Sequence, residues 1–98
     1  MIRFSCPVLG GEVELTDVRA GHIAERHPEL LPVHLAELGQ TIRNPDDVLP
    51  ALAGEKRLFV RWADTIRGGR YVVAVVVSEG TRHWVVTAYI TRRPPAGK

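Results

Sequence analysis

The residues with the most chemical content lie in HIAERHPEL, positions 22 to 30, where His22 and Arg26 stand four apart and His27 follows directly. On a helix, positions i and i+4 project from one face, so an imidazole sits beside a fixed guanidinium. Two adjacent cations repel unless the imidazole is neutral or an anion joins them, and a phosphate resolves the conflict. The alternative is a half-buried neutral His22 bonded to a backbone carbonyl. His27 precedes Pro28 and reads as a helix-terminating residue as well as a chemical candidate. His34 borders a leucine stripe and reads as structural, and His83 opens the last strand as a surface residue. No zinc site is expected, because His22 and His27 are five apart with a proline next and no HExxH pattern accompanies them. Ser5 and Ser78 have no evident base, so covalent acyl chemistry is not expected either. The single Cys6 cannot form an internal disulfide and lies in a strand-like run, which marks it as a buried structural residue. No cofactor is implied.

Those groups need elements to hold them. Ninety-eight residues suit one domain with one small core. Alternating runs at Ile2–Val8 and Glu12–Leu15 flank Leu9-Gly10-Gly11 and read as a hairpin. Thr16 can cap a helix over Asp17–Arg26, with Asp17 at its positive end, and Pro28 stops it. Leu31, Leu35, Leu38 and Ile42 recur at helical spacing and predict a second helix, ended by Asn44-Pro45-Asp46. From Asp47 the period becomes two, and strands are expected at Val48–Leu52, Arg57–Trp62, Arg70–Ser78 and His83–Thr91, joined by short hairpins. The tail, Arg92 to Lys98, is expected to fray. The expected architecture is α+β: an N-terminal hairpin and two helices packed on one face of an antiparallel sheet of four or more strands.

The charge is uneven. Residues 1–54 carry four arginines against eight acids, whereas residues 55–98 carry nine Lys or Arg against three acids, inside a net charge of +2. A basic half attracts a polyanion, nucleic acid first, or else an acidic protein. The longest apolar run, VVAVVV at 72–77, is strand length, so no membrane span is expected. No secretory h-region is evident in MIRFSCPVLGG, and the cytoplasm is the expected compartment.

Alternation assigns faces. In the last strand, Trp84, Val86, Ala88 and Ile90 are expected to face the core, leaving His83, Val85, Thr87, Tyr89 and Thr91 opposite. In the Arg57 strand, Leu58, Val60 and Trp62 are expected inward, with Arg57, Phe59 and Arg61 outward. Aligned across the sheet, the outward sets would make a surface that pairs phosphate and stacks bases. A plain polar outer face is the competing explanation. The Val72–Val77 strand, apolar on both sides, is expected to be central and doubly covered.

Taken in order, HIAERHPEL, TIRNPDDVL, YVVAVVV and WVVTAYITRR resemble the small phage- and toxin-associated nuclease domains related to barnase, EndoU, tRNase colicins and RelE. The resemblance spans nearly the whole chain. It implies that fold, a His-x-x-x-Arg pair on the first helix (His22, Arg26), an Asn/Asp-Pro segment leading into the sheet (Asn44 to Asp46), and a Val-Thr-Ala-Tyr run on the last strand (Val86 to Tyr89). It further implies a metal-independent ribonuclease, often the toxic half of a conflict system restrained by an immunity or antitoxin protein.

Metal-free RNA cleavage needs activation of the 2′-hydroxyl, protonation of the leaving oxygen, and donors for charge building on phosphorus. The expected set is His22 as base or acid, Arg26 as phosphate clamp and Thr87 as donor. His27, Arg61, Tyr89 and Arg92 are secondary candidates, with Arg57 and Phe59 on the expected RNA-binding face. Two rival classes remain open: a catalytically silent RNA- or protein-binding module, and a structural phage component docking an acidic partner.

Overall fold

A computed structural model describes residues 1–50 and 55–95. The end of the expected Val48–Leu52 strand, the Ala53-Gly54 part of the next connection and the last three tail residues lie outside the described residues.

The hairpin forms as β1 (Ile2–Cys6) and β2 (Gly11–Leu15), joined by a 3-10 turn over Pro7–Leu9. Gly10 closes that turn in the left-handed region, at φ 72°, with its N–H donating to the Pro7 carbonyl. The first helix, α1 (Asp17–Arg26), begins where the Thr16 hydroxyl accepts the Arg19 N–H at 3.2 Å. It ends where the His27 N–H donates to the Ile23 carbonyl, one residue before Pro28. The second helix, α2 (Leu35–Arg43), starts later than the leucine stripe. Leu30 and Leu31 are buried, but within a turn-rich segment between the helices. Pro28 and Pro32 supply no N–H there, so the helical ladder waits for Leu35.

β3 (Asp47–Pro50), β4 (Lys56–Ala63), β5 (Arg70–Glu79) and β6 (Arg82–Thr91) complete a sheet in the order β1-β2-β6-β5-β4-β3. The α+β class stands, but the sheet is mixed rather than antiparallel. Val13 and Glu14 of β2 pair parallel to His83 and Trp84 of β6. Two helices intervene between β2 and β3, and a crossover of that length allows the hairpin to join beside the last strand in the same sense. α2 lies across the inner face against β1, β4 and β5, while α1 packs against β6. The core gathers Phe4, Val13, Leu15, Ile23, Leu38, Ile42, Phe59, Val72, Ala74, Val76, Val85 and Ala88. β5 lies between β4 and β6, and Val73 on its outer face is as fully buried as Val72 on its inner one. No described helix is long and apolar enough to cross a membrane.

Two face assignments need correction. Opposite β5, Val75 pairs with Thr87 but Val76 pairs with Val85, leaving Val86 as an extra residue. This bulge shifts the alternation by one. Before it His83 and Val85 point inward, and after it Ala88 and Ile90 do. In β4 the register sets Arg57, Phe59 and Arg61 opposite Val76, Ala74 and Val72, on the helix-covered face. Phe59 is 0% exposed, whereas Trp62 is 41% exposed. The arginines fit this inner face because they stand at its rims, where their stems cover apolar surface and their heads reach polar partners. Arg57 donates to Ser78 Oγ and Arg61 to the Asn44 carbonyl.

Candidate functional site

α1 carries Arg19, His22 and Arg26 at intervals of three and four residues, one exposed stripe, while Ile23 is buried in the core. β2 pairs with β6 only at its first residues, and α1, which follows β2 directly, packs against that last strand. The bulge at Val86 then turns Thr87 outward beside the helix. The result is a cleft of about 300 Å³ lined by Arg19, His22, Arg26, Val86 and Thr87. The helix and the strand thus bring His22, Arg26 and Thr87 together from opposite ends of the chain.

No carboxylate lines this cleft. Among the described residues, neither Arg19 nor Arg26 has an ion-pair partner. Two guanidinium groups, an imidazole and a hydroxyl therefore present hydrogen-bond donors to one small volume, and the complementary ligand is an anion. Arg19 was missed from sequence, although its spacing of three from His22 carried the signal.

His27 stands at the C-terminal end of α1, half-buried, with Nδ1 3.3 Å from Glu29 Oε2. Its ring lies 6.0 Å from that of Tyr89, tilted by 40°. Tyr89 is two residues past Thr87 on the same strand face, roughly 7 Å along β6. His27 and Tyr89 thus flank the cleft. Arg92 is exposed just beyond the end of β6. Arg57, Phe59 and Arg61 are not brought to this site, and Phe59, fully buried, offers no stacking face.

A second cluster was invisible in the sequence. Ser78 Oγ lies 2.6 Å from His83 Nδ1, both residues buried, and accepts a hydrogen bond from Arg57 at 3.2 Å. His83 is therefore not a surface residue, because the bulge phase turns it inward, and Ser78 does have an imidazole neighbour. Near this group the Cys6 thiol is held above its ordinary range by burial, against the opposing pull of backbone N–H groups at Leu9 and Val8 and of Arg57. Ser78 Oγ joins Arg57 to His83, no buried side-chain N or O among the described residues lacks a partner, and Ser78 is only 6% exposed, so the cluster holds strands rather than a ligand. Cys6 is fully buried, and His34 pairs with Glu37 at 3.5 Å, each in a structural setting.

Among the described residues no group of three or more His, Cys, Asp or Glu side chains could hold a metal ion. Comparison with protein-family models, curated proteins and solved structures returns no match.

Proposed function

We propose that this chain is a metal-independent endoribonuclease of the toxin type, acting at the cleft between α1 and β6. The observation that carries the reading is the meeting of Arg19, His22, Arg26 and Thr87 around one acid-free volume. Arg19 and Arg26 hold the scissile phosphate and neutralise charge that grows on its oxygens. His22 takes the proton from the 2′-hydroxyl as that oxygen attacks phosphorus, or returns one to the departing 5′-oxygen. Imidazole suits either task near neutral pH. Thr87 donates to a non-bridging oxygen. His27 is the second proton-transfer group: with Glu29 beside Nδ1, its Nε2 is left to exchange a proton. Tyr89 offers a ring for a neighbouring base. Arg92 extends the basic path past the strand end. The resemblance noted from sequence adds a setting in which an immunity or antitoxin protein restrains the activity.

The test is incubation of the purified protein with tRNA and mixed RNA in excess chelator, followed by analysis of the ends. Cleavage leaving 2′,3′-cyclic phosphates supports the proposal. Intact RNA at high protein concentration, with binding retained, identifies a binding module instead.

A further inference from the structure

Two aromatic side chains flank Thr87 on the outer face of β6 at matched spacing. Trp84 stands opposite Val77 of β5, Thr87 opposite Val75 and Tyr89 opposite Val73, so the bulge leaves one ring a two-residue step, roughly 7 Å, to each side of the hydroxyl. Successive bases of an extended strand stack on rings set out in this way. The two sides are nevertheless unequal. On the Trp84 side the ring is covered: the Arg82 guanidinium lies over it, 5.5 Å from the centroid, and is itself bonded to Glu14 Oε1 at 3.3 and 3.2 Å. Glu12 lines the same hollow, Glu79 stands opposite Arg82 and Arg3 opposite Glu14, so three carboxylates meet two guanidiniums there. Lys56, the next cation in that row, lies two strands away. On the Tyr89 side the strand runs out into Arg92 and Arg93, both exposed and neither in an ion pair among the described residues. Glu29 also stands on this side, but His27 engages it.

We infer that the cleft takes single-stranded RNA and grips it on one side of the scissile phosphate only. The adjoining base lies on Tyr89, and the phosphates beyond it reach Arg92 and Arg93. On the other side the strand leaves past Trp84 without a grip, because the ring is already capped by Arg82 and the surrounding carboxylates repel a polyanion. The substrate is single-stranded because a base inside a duplex is stacked on its neighbours and has no face to give Tyr89. The inference rests on the ribonuclease reading and adds to it the strandedness of the substrate and the side from which it is held.

The experiment uses oligodeoxynucleotides that each carry a single ribonucleotide, with every base sampled at it and at its neighbour, so that one bond alone has a 2′-hydroxyl to attack it. The ribonucleotide stands at the centre, at the 5′ end, or next to the 3′ end. One of the two end-placed strands is expected to be cut within about twofold of the central one and the other about tenfold more slowly in kcat/KM, the loss of a charge-assisted contact. Replacing Arg92 and Arg93 together by alanine, both at exposed positions, is expected to remove that difference. Tyr89→Ala is expected to slow cutting of the central strand about tenfold, as for one stacked base, and an annealed complementary strand to slow it at least as much. Equal loss at the two ends, no loss at either, or undiminished cutting of the annealed duplex would overturn the inference and leave the ribonuclease reading standing. An uncut central strand would remove that reading, and the inference with it.

Discussion

The α1–β6 cleft and the Ser78–His83–Arg57 cluster contain the same chemical types, an imidazole, a guanidinium and a hydroxyl, yet they do opposite things. At the inner cluster the three groups answer one another: Arg57 donates to Ser78 Oγ, which lies 2.6 Å from His83 Nδ1, and the core closes over Ser78 and His83. At the cleft the groups converge without answering one another, and no acid stands among them. Residue type alone does not make a site. Hydrogen-bonding capacity left over after folding does, because only that capacity remains for a ligand.

The contrast is sharpest at the two histidines. His22→Ala is expected to lower RNA cleavage by about 10²- to 10⁴-fold, the usual contribution of a general acid or base, with a thermal midpoint unchanged because the side chain is exposed. Equal cleavage by the two proteins would erase the distinction. Next in size, Arg19→Ala and Arg26→Ala are each expected to weaken RNA binding about tenfold, as for a charge-assisted hydrogen bond. Together they should flatten the salt dependence of binding by about 1.4 in log–log slope, since each single-strand phosphate contact contributes about 0.7.

The inner cluster should respond the other way. Ser78→Ala leaves His83 and Arg57 without their shared partner, and a loss of about 1–3 kcal/mol in urea unfolding is expected, with cleavage by the folded fraction unaltered. A Ser78→Ala protein of full stability but no activity would reverse the roles assigned to the two regions. The smallest effect belongs to Cys6. Its thiol binds a proton more tightly folded than unfolded, so the stability tied to that proton is present below the ordinary value of 9.0 and is lost as pH rises through the higher folded value. Native protein should accordingly resist thiol alkylation at pH 8 and react in denaturant.

Sequence periodicity located α1 to the residue, because Thr16 and Pro28 punctuate it by local rules. It also located the start of β3, and both ends of β4, β5 and β6, to within a residue. What it missed was set by long-range pairing. The extra residue at Val86 reverses inward and outward along half of β6, and nothing in WVVTAYIT distinguishes a bulge from a regular strand. That reversal hid the Ser78–His83 contact. In β4 alternation chose the wrong face: Arg57 and Arg61 mark their side of RLFVRW as polar, but α2 lies across that side, where Phe59 is buried and the two arginines reach polar partners. The parallel register of β2 with β6 is likewise a property of the crossover, not of either strand. His22, Arg26 and Thr87 were nameable from sequence, but their meeting depends on where β2 stops pairing. Arg19 was legible and overlooked, whereas Glu29 acquires meaning only from the turn after α1 that sets it beside His27.

The most direct test is single-turnover cleavage of one defined oligoribonucleotide in chelator, compared with the same strand carrying a 2′-deoxy residue at the mapped cut. Wild-type protein is predicted to cut the first, leaving a cyclic phosphate, to bind but not cut the second, and to lose the first activity on His22→Ala. Cleavage of the deoxy strand, or undiminished cleavage by the His22→Ala protein, would contradict the account.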